Sequence, residues 1–105
     1  TDDMRLVMEE AFGPVASIYK VANKEEAVRI ANQTTFGLSS AVWSQDAAEQ
    51  DYFVQHLQAG AVFVNGMTIS YPELAFGGIK DSGFGRELSD AGIKEFCNLK
   101  TVWKA

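Results

Sequence analysis

Glycine is concentrated in one segment of this 105-residue chain, and that segment limits the folds that the chain can adopt. The run FGGIKDSGFGRE, residues 76–87, holds four of the nine glycines. A Walker-type phosphate loop needs lysine and serine or threonine directly after its second glycine, and a dinucleotide fingerprint needs glycine or alanine where Leu88 stands. Both phosphate-binding interpretations are therefore disfavoured. Because glycine permits positive φ and close backbone approach, the run predicts a compact, ordered crossing between a strand and a helix.

The rest of the chain alternates between strand-like and helix-like patterns. Asn23, with Glu26 three residues later, is typical of a helix N-cap, and apolar residues follow at helical spacing. Asp46 opens a second helical pattern, which Gly60 closes. We predict strands at residues 15–19, 38–43, 61–64 and 99–103, and helices over about 24–32, from 46 to 60, and from a Ser89 cap to about 96.

The short apolar strand Ala61–Val64 indicates the kind of sheet. It is too short for a helix and too apolar for a strand with one solvent-exposed face. We therefore expect it to be covered on both faces, as strands of parallel α/β sheets are. Residues 66–87 follow as a long loop. Loops of this length without secondary structure are uncommon and are usually functional. The sequence therefore predicts an α/β fold with a parallel sheet and a functional loop.

Charge and cysteine content exclude several classes of function. Nine basic and fourteen acidic residues give a net charge of −5, so we expect no binding to nucleic acid or to an anionic membrane surface. The apolar runs are far shorter than the roughly 20 residues needed to span a bilayer, and the first residues lack the features of a signal peptide. We expect a soluble, cytoplasmic protein. Cys97 and His56 each stand alone, which predicts neither an internal disulfide nor a metal site.

Five motifs stand in this order along the chain: EAFGP from Glu10, AN at 31–32 with FGL at 36–38, GAVFVN from Gly60, the glycine run at 76–87, and KTV from Lys100. In this order and spacing they resemble the last part of NAD(P)-dependent aldehyde dehydrogenases. The likeness is greatest to the bacterial succinate-semialdehyde dehydrogenase branch, although Ala75 stands where the family usually has proline. The resemblance implies a parallel-sheet catalytic domain with flanking helices over residues 1–98, and a terminal strand of the oligomerisation region over 99–105.

The same resemblance implies that the catalytic groups lie outside this chain. In that family a cysteine thiolate attacks the aldehyde and a glutamate activates water, but neither of those motifs occurs here. The chain also lacks an initiating methionine at Thr1. We therefore expect a truncated chain that is inactive alone, with NAD or NADP bound mainly by an upstream domain. The alternative is a non-catalytic folding or assembly module, or an aldehyde dehydrogenase of another substrate class.

The resemblance also implies roles for five side chains. Glu10 matches a glutamate that binds the nicotinamide ribose, and Phe12 matches an aromatic residue beside the nicotinamide ring. Ser70 and Phe76 match positions that line the substrate funnel. Glu87 matches a glutamate near the proton-relay water, although pairing with Arg86, Lys80 or backbone amides is the alternative.

Two further expectations concern the substrate and the partners. A hydroxyl at Ser70 suits an aldehyde with a carboxylate tail, because it can donate a hydrogen bond to the charged group; an ordinary loop serine is the alternative. The apolar terminal strand should pair with another subunit of a homo-oligomer or fold back on its own sheet, since bare strand edges promote association. Cys97 is interpreted as a small buried apolar residue and His56 as a helix-surface residue, neither of them catalytic.

Overall fold

The computed structural model describes residues 4–105, which contain four helices and four short strands. The strands form two separate two-stranded sheets. In chain order the elements are α1 Arg5–Met8, α2 Lys24–Ala31, β1 Phe36–Gly37, β2 Ser39–Val42, α3 Ala47–His56, β3 Ala61–Val64, β4 Ile79–Lys80 and α4 Ser89–Lys94.

The larger sheet confirms the expected parallel pairing. Strands β2 and β3 run in parallel, with Ser39 opposite Ala61 and Val42 opposite Val64, and α3 is the crossover between them. Val28 of α2 and Val42 of β2 are the buried apolar side chains of the described chain. All four residues of β3 are only half-buried, so the described chain does not supply the full cover that we expected on both faces of this strand.

The helix starts follow the predicted capping chemistry. Asn23 Oδ1 accepts from the Glu26 amide at 2.8 Å, and Glu26 Oε2 accepts from the amide of Ala22 at 2.8 Å. Asp46 Oδ1 accepts from the amides of Ala48 and Glu49 at the start of α3. These capping bonds explain why α2 and α3 begin where the sequence predicted.

Two predicted strands are absent from the described part of the chain. Residues 15–19 and 99–103 have no regular secondary structure and pair with no strand in residues 4–105. A strand needs a hydrogen-bonding partner and not only β-branched or apolar residues. The prediction at 15–19 was therefore wrong for the described chain, as was folding back for 99–103, while pairing of 99–103 with another subunit stays a prediction. The short helix α1 was not predicted, and α4 ends at Lys94, two residues before the expected end.

The role of Gly60 and the nature of the long loop also differ from the prediction. Helix α3 ends at His56, so Gly60 does not close it; the Gly60 amide instead donates to Gly37 O at 3.0 Å, just before β3. The segment 66–87 is not free of secondary structure, because β4 lies in it and pairs antiparallel with β1, with Gly37 opposite Ile79.

The described fold exposes more surface than a self-contained domain of its size. Its accessible area is 8476 Å², against about 5,800 Å² for a compact monomer of this mass. The radius of gyration is 17.3 Å, against about 13 Å for a compact domain of this length. No helix within residues 4–105 is long and apolar enough to cross a membrane. Five large apolar side chains are more than nine-tenths exposed: Phe12, Ile18, Phe84, Phe96 and Leu99.

Candidate functional site

The glycine loop, residues 76–87, is closed at its base by its two end residues. The amide of Phe76 donates to Glu87 O at 2.8 Å, and the amide of Glu87 donates to Phe76 O at 2.8 Å. This antiparallel bridge brings together two residues that the sequence marked for different roles, substrate contact and proton relay. Phe76 is half-buried and Glu87 is exposed.

Close packing requires two of the four glycines of this loop, Gly77 and Gly78, whereas Gly83 and Gly85 have positive φ values of 111° and 79°. A Cβ at Gly77 would lie 2.6 Å from Gly85 O, and one at Gly78 would lie 2.5 Å from the Cβ of Ser82. Gly60, at the start of β3, would place a Cβ only 1.7 Å from Gly77 O. These distances leave no room for any side chain, which supports the interpretation of the run as a shaped backbone crossing.

Arg86 holds the interior of the loop. Its guanidinium Nη1 donates to Gly78 O at 3.1 Å and to Gly85 O at 2.6 Å, and its amide donates to Glu95 Oε1 at 3.2 Å. Arg86 therefore binds carbonyls of the loop. The suggested pairing of Glu87 with the side chains of Arg86 or Lys80 does not occur among the contacts of residues 4–105, and the observed Glu87 bonds are those of its backbone to Phe76.

A cleft of about 420 Å³, the loop cleft, opens beside this bridge. Its walls are mainly apolar, with Arg86, Glu87 and Glu95 as the charged groups. Phe76 also lines a second cleft of about 370 Å³ against β3. Ser70 lines neither cleft; it is exposed in the segment 66–75, so the structure does not bring Ser70 and Phe76 together around one cavity. The apolar lining of the loop cleft includes Leu38, Phe76, Phe84 and Phe96.

Glu10 and Phe12 lie on an exposed segment after α1. Glu10 lines a cleft of about 430 Å³, the junction cleft, whose other walls include Asn32, Phe36 and Ser82. Both residues line a shallower concavity of about 400 Å³. Phe12 is 91% exposed and has a φ of 22°, which is unusual for an aromatic residue. The described chain therefore leaves the Phe12 ring and the Glu10 carboxylate uncovered on one surface.

Sequence reasoning missed several residues that join these clefts. Lys80 Nζ donates to Asn32 O at 3.1 Å and to Thr34 O at 3.2 Å, and Gly37 donates its amide to Ser82 Oγ at 2.9 Å. These bonds link the glycine loop to the turn between α2 and β1. The signal was present, because Asn32 and Lys80 both lie in the quoted motifs, but nothing in the linear sequence shows that they meet.

Asn65 makes a second junction that the sequence did not reveal. Its side chain bonds to Ser44 on both sides: Asn65 Oδ1 accepts from the Ser44 amide at 3.0 Å, and Asn65 Nδ2 donates to Ser44 O at 2.9 Å. Asn65 has a φ of 54°, a left-handed conformation that asparagine tolerates better than most residues. It fixes the ends of β2 and β3 to each other, just before the segment that carries Ser70.

The lone cysteine and histidine lie away from these clefts. Cys97 is exposed, so our interpretation of it as a buried apolar residue was wrong for the described chain, and its thiol donates to Ile93 O at 3.5 Å. His56 is exposed at the end of α3, as expected, and its ring stacks on Tyr52 at 4.2 Å. Within residues 4–105, no group of three or more His, Cys, Asp or Glu side chains is arranged to hold a metal ion.

Of the two ion pairs of the described chain, Asp90–Lys94 lies outside the clefts, whereas Glu9 of the Arg5–Glu9 pair lines the junction cleft. The Lys94 ammonium, 2.9 Å from Asp90, holds the pKa of that exposed carboxyl below its ordinary value. A hydrogen bond from Arg5 to Glu9 raises the pKa of the Arg5 guanidinium. Both pairs are of the i, i+4 type on exposed helix surfaces, so they stabilise the helices locally.

Comparisons with known proteins agree on one family. A sequence model of the "Aldehyde dehydrogenase family" matches residues 1–102. The chain is 64% identical to "Succinate-semialdehyde dehydrogenase [NADP(+)] 1" of Mycobacterium ulcerans, over 98% of this chain and 22% of that protein. The chain thus spans about a fifth of the length of this curated relative.

Solved structures show the same fold. The succinic semialdehyde dehydrogenase of Streptococcus pyogenes, in complex with NADP+, superposes with a TM-score of 0.92 at 39% identity, over 99% of this chain and 23% of that one. The succinate-semialdehyde dehydrogenase of Burkholderia pseudomallei gives a TM-score of 0.86 at 41% identity, over 91% of this chain and 20% of that one.

Proposed function

The chain belongs to the aldehyde dehydrogenase family, and we propose that it is the carboxy-terminal part of an enzyme that oxidises succinate semialdehyde to the carboxylic acid with NAD or NADP. The observation that carries this proposal is the 64% identity to the Mycobacterium ulcerans succinate-semialdehyde dehydrogenase. That match covers 98% of the chain and therefore includes the glycine loop and the segment with Ser70.

The cofactor role rests on Glu10 and Phe12. A carboxylate has two acceptor oxygens, which suits the two neighbouring hydroxyls of a ribose, and an exposed aromatic face suits a planar ring. Both side chains are uncovered on one surface of the described chain, which is the arrangement that such a ligand requires. When bound, a nicotinamide cofactor would accept the two electrons of aldehyde oxidation. Glu10 and Phe12 would orient it; the groups that distinguish NAD from NADP lie elsewhere in the protein.

The substrate role rests on the glycine loop and the segment before it. Phe76 would form an apolar wall, and Ser70 would donate a hydrogen bond to the substrate carboxylate, with an arginine or lysine outside this chain to share the negative charge. Glu87, bound to Phe76 through the backbone, is exposed and free to hold a water through its carboxylate. Glu87 acts here as a relay residue, while the nucleophile and general base come from outside the chain.

The rest of the protein is required for both folding and activity. The excess accessible area and the exposed rings support the proposal that further parts of a catalytic domain complete residues 1–98. Residues 99–105, which are exposed, would pair as a strand with another subunit of a homo-oligomer in the cytoplasm. The 105-residue chain alone is expected to oxidise no aldehyde, because covalent catalysis needs the nucleophile and the oriented cofactor together.

The test is an assay of the purified full-length protein. We expect NADPH or NADH formation with succinate semialdehyde, slower turnover of butanal, and none from the 105-residue chain alone. Cys97→Ser is the control and should leave the rate unchanged, since this exposed thiol lies outside the clefts. A full-length protein that oxidises no aldehyde would favour the alternative of a folding or assembly module. A preference for butanal would place the enzyme in another substrate class.

A further inference from the structure

The tip of the glycine loop is attached to the turn that follows α2. Lys80 Nζ donates to the carbonyls of Asn32, the C-cap of α2, and of Thr34, at 3.1 and 3.2 Å. These carbonyls lie at the negative end of the helix dipole, where an ammonium is favoured. The long Lys80 side chain thus reaches two residues that lie far from it in the sequence, Asn32 at a separation of 48 residues and Thr34 at 46.

Two further hydrogen bonds, each donated by a backbone amide, complete this attachment. The Asp81 amide donates to Thr35 O at 3.0 Å, and the Gly37 amide donates to Ser82 Oγ at 2.9 Å. The pairing of β1 with β4 places Phe36 directly opposite Lys80. Lys80 has a φ of 55°, a left-handed conformation that is unfavourable for lysine, so the contacts of its side chain and neighbours must hold it.

The attachment extends in both directions through the structure. On one side, Asn32 Nδ2 donates to His56 O at 2.9 Å and Asn32 Oδ1 accepts from the Gln58 amide at 2.8 Å. Asn32 therefore connects the Lys80 attachment to the end of α3. On the other side, Gly78 packs against Ser82 with no room for a Cβ. Arg86 binds Gly78 O, next to the bridge at the base of the loop.

From this arrangement we propose that Lys80 is a positioning residue for aldehyde binding. Its ammonium fixes the tip of the glycine loop to the end of α2, and the closely packed loop transmits that position to Phe76 and Glu87 at its base. The proposal rests on the proposed function, since it assigns Phe76 to the aldehyde site. Among the described clefts Phe12 shares none with Asn32 or Thr34, and Glu10 meets these residues only as another wall of the junction cleft, so we expect the cofactor contacts to depend less on Lys80 than the aldehyde site does.

The test uses Lys80→Asn in the full-length protein. Asparagine tolerates the left-handed backbone but is too short to reach both carbonyls, so the variant removes the ammonium with the least disturbance of the backbone. Lys94→Asn is the matched control, because Lys94 makes only an exposed pair with Asp90 on α4. Lys80→Arg is the rescue variant, since a guanidinium can donate to two carbonyls.

Amide hydrogen exchange gives a readout that does not depend on activity. We expect the amides of Gly37 and Asp81 to exchange about tenfold faster or more in Lys80→Asn than in wild type, because two charge-assisted bonds are lost. Lys94→Asn should leave these two amides unchanged, and Lys80→Arg should restore most of their protection. Unchanged exchange in Lys80→Asn would overturn the proposal.

Steady-state kinetics separate positioning from a general structural role. We expect the KM for the aldehyde to rise about fivefold to tenfold in Lys80→Asn, with a clearly smaller rise in the KM for the cofactor. An equal rise in the KM for the aldehyde and in the KM for the cofactor would show a structural role only. Failure of both Lys80 variants to fold would show the same. A wild-type protein that oxidises no aldehyde would overturn the proposed function and this role of Lys80, while the exchange data would still show whether the ammonium holds the loop.

Discussion

Gly60→Ala is expected to destabilise the contact between β3 and the glycine loop severely. The new Cβ would lie 1.7 Å from Gly77 O and 2.8 Å from Gly77 C, both backbone atoms that cannot rotate away. Cβ atoms in proteins essentially never lie closer than 3.0 Å to such an atom, so the two segments must separate by 3.0 − 1.7 = 1.3 Å. That displacement would also stretch the bond from the Gly60 amide to Gly37 O, now 3.0 Å.

The size of this destabilisation follows from two unfavourable contributions and one that offsets them. Overpacking costs about 1–3 kcal/mol, and a weakened backbone hydrogen bond costs about 1 kcal/mol. Alanine lowers the conformational entropy of the unfolded chain, which offsets about 0.4–1 kcal/mol. Because the clashing atoms belong to the backbone, we place the overpacking cost at the upper end of its range. The net destabilisation is then about 3 kcal/mol, roughly a hundredfold in the equilibrium for opening this contact.

Native-state amide exchange of β3 in the full-length protein measures this equilibrium. The amides of Ala61–Val64 should exchange roughly a hundredfold faster in Gly60→Ala. Gly66→Ala is the matched control: the nearest atom to its Cβ lies 3.9 Å away, so we expect unchanged or slightly slower exchange. Exchange within twofold of wild type in Gly60→Ala would refute the close-packing explanation of the glycines.

Three further predictions address the substrate, a helix cap and an ion pair. Ser70→Ala should lower kcat/KM for succinate semialdehyde about tenfold and leave butanal nearly unaffected; equal losses on both, or none on either, would show an ordinary loop serine. Asp46→Ala should destabilise α3 by about 1 kcal/mol, measured by thermal unfolding, because two amides lose their acceptor; an unchanged midpoint would contradict the cap. Lys94→Asn should raise the pKa of Asp90 towards its ordinary value in a carboxyl NMR titration, since the lowered pKa comes from Lys94. The stability that this pair contributes is present above the ordinary carboxyl pKa and is lost as pH falls through the lowered one; an unchanged pKa would contradict the pairing.

The sequence alone determined the local features of this protein. The capping residues Asn23 and Asp46 set the starts of α2 and α3, because each cap satisfies amides a few residues away. The apolar run Ala61–Val64 predicted a parallel strand, and the structure pairs it in parallel with β2. The ordered motifs predicted the family, which the comparisons confirm. The roles of Glu10, Phe12, Ser70, Phe76 and Glu87 stay predictions.

Only the tertiary structure decided which residues meet. Residues 15–19 and 99–103 have strand-like composition but form no strand in the described chain, because pairing depends on a neighbour that local sequence does not encode. Gly60 looked like a helix end and instead packs on Gly77, seventeen residues later. The bonds from Lys80 to Asn32 and Thr34 span more than forty residues. Such contacts follow from how the chain folds back on itself, since hydrogen bonding and close packing act over a few ångströms in space, whatever the separation in sequence.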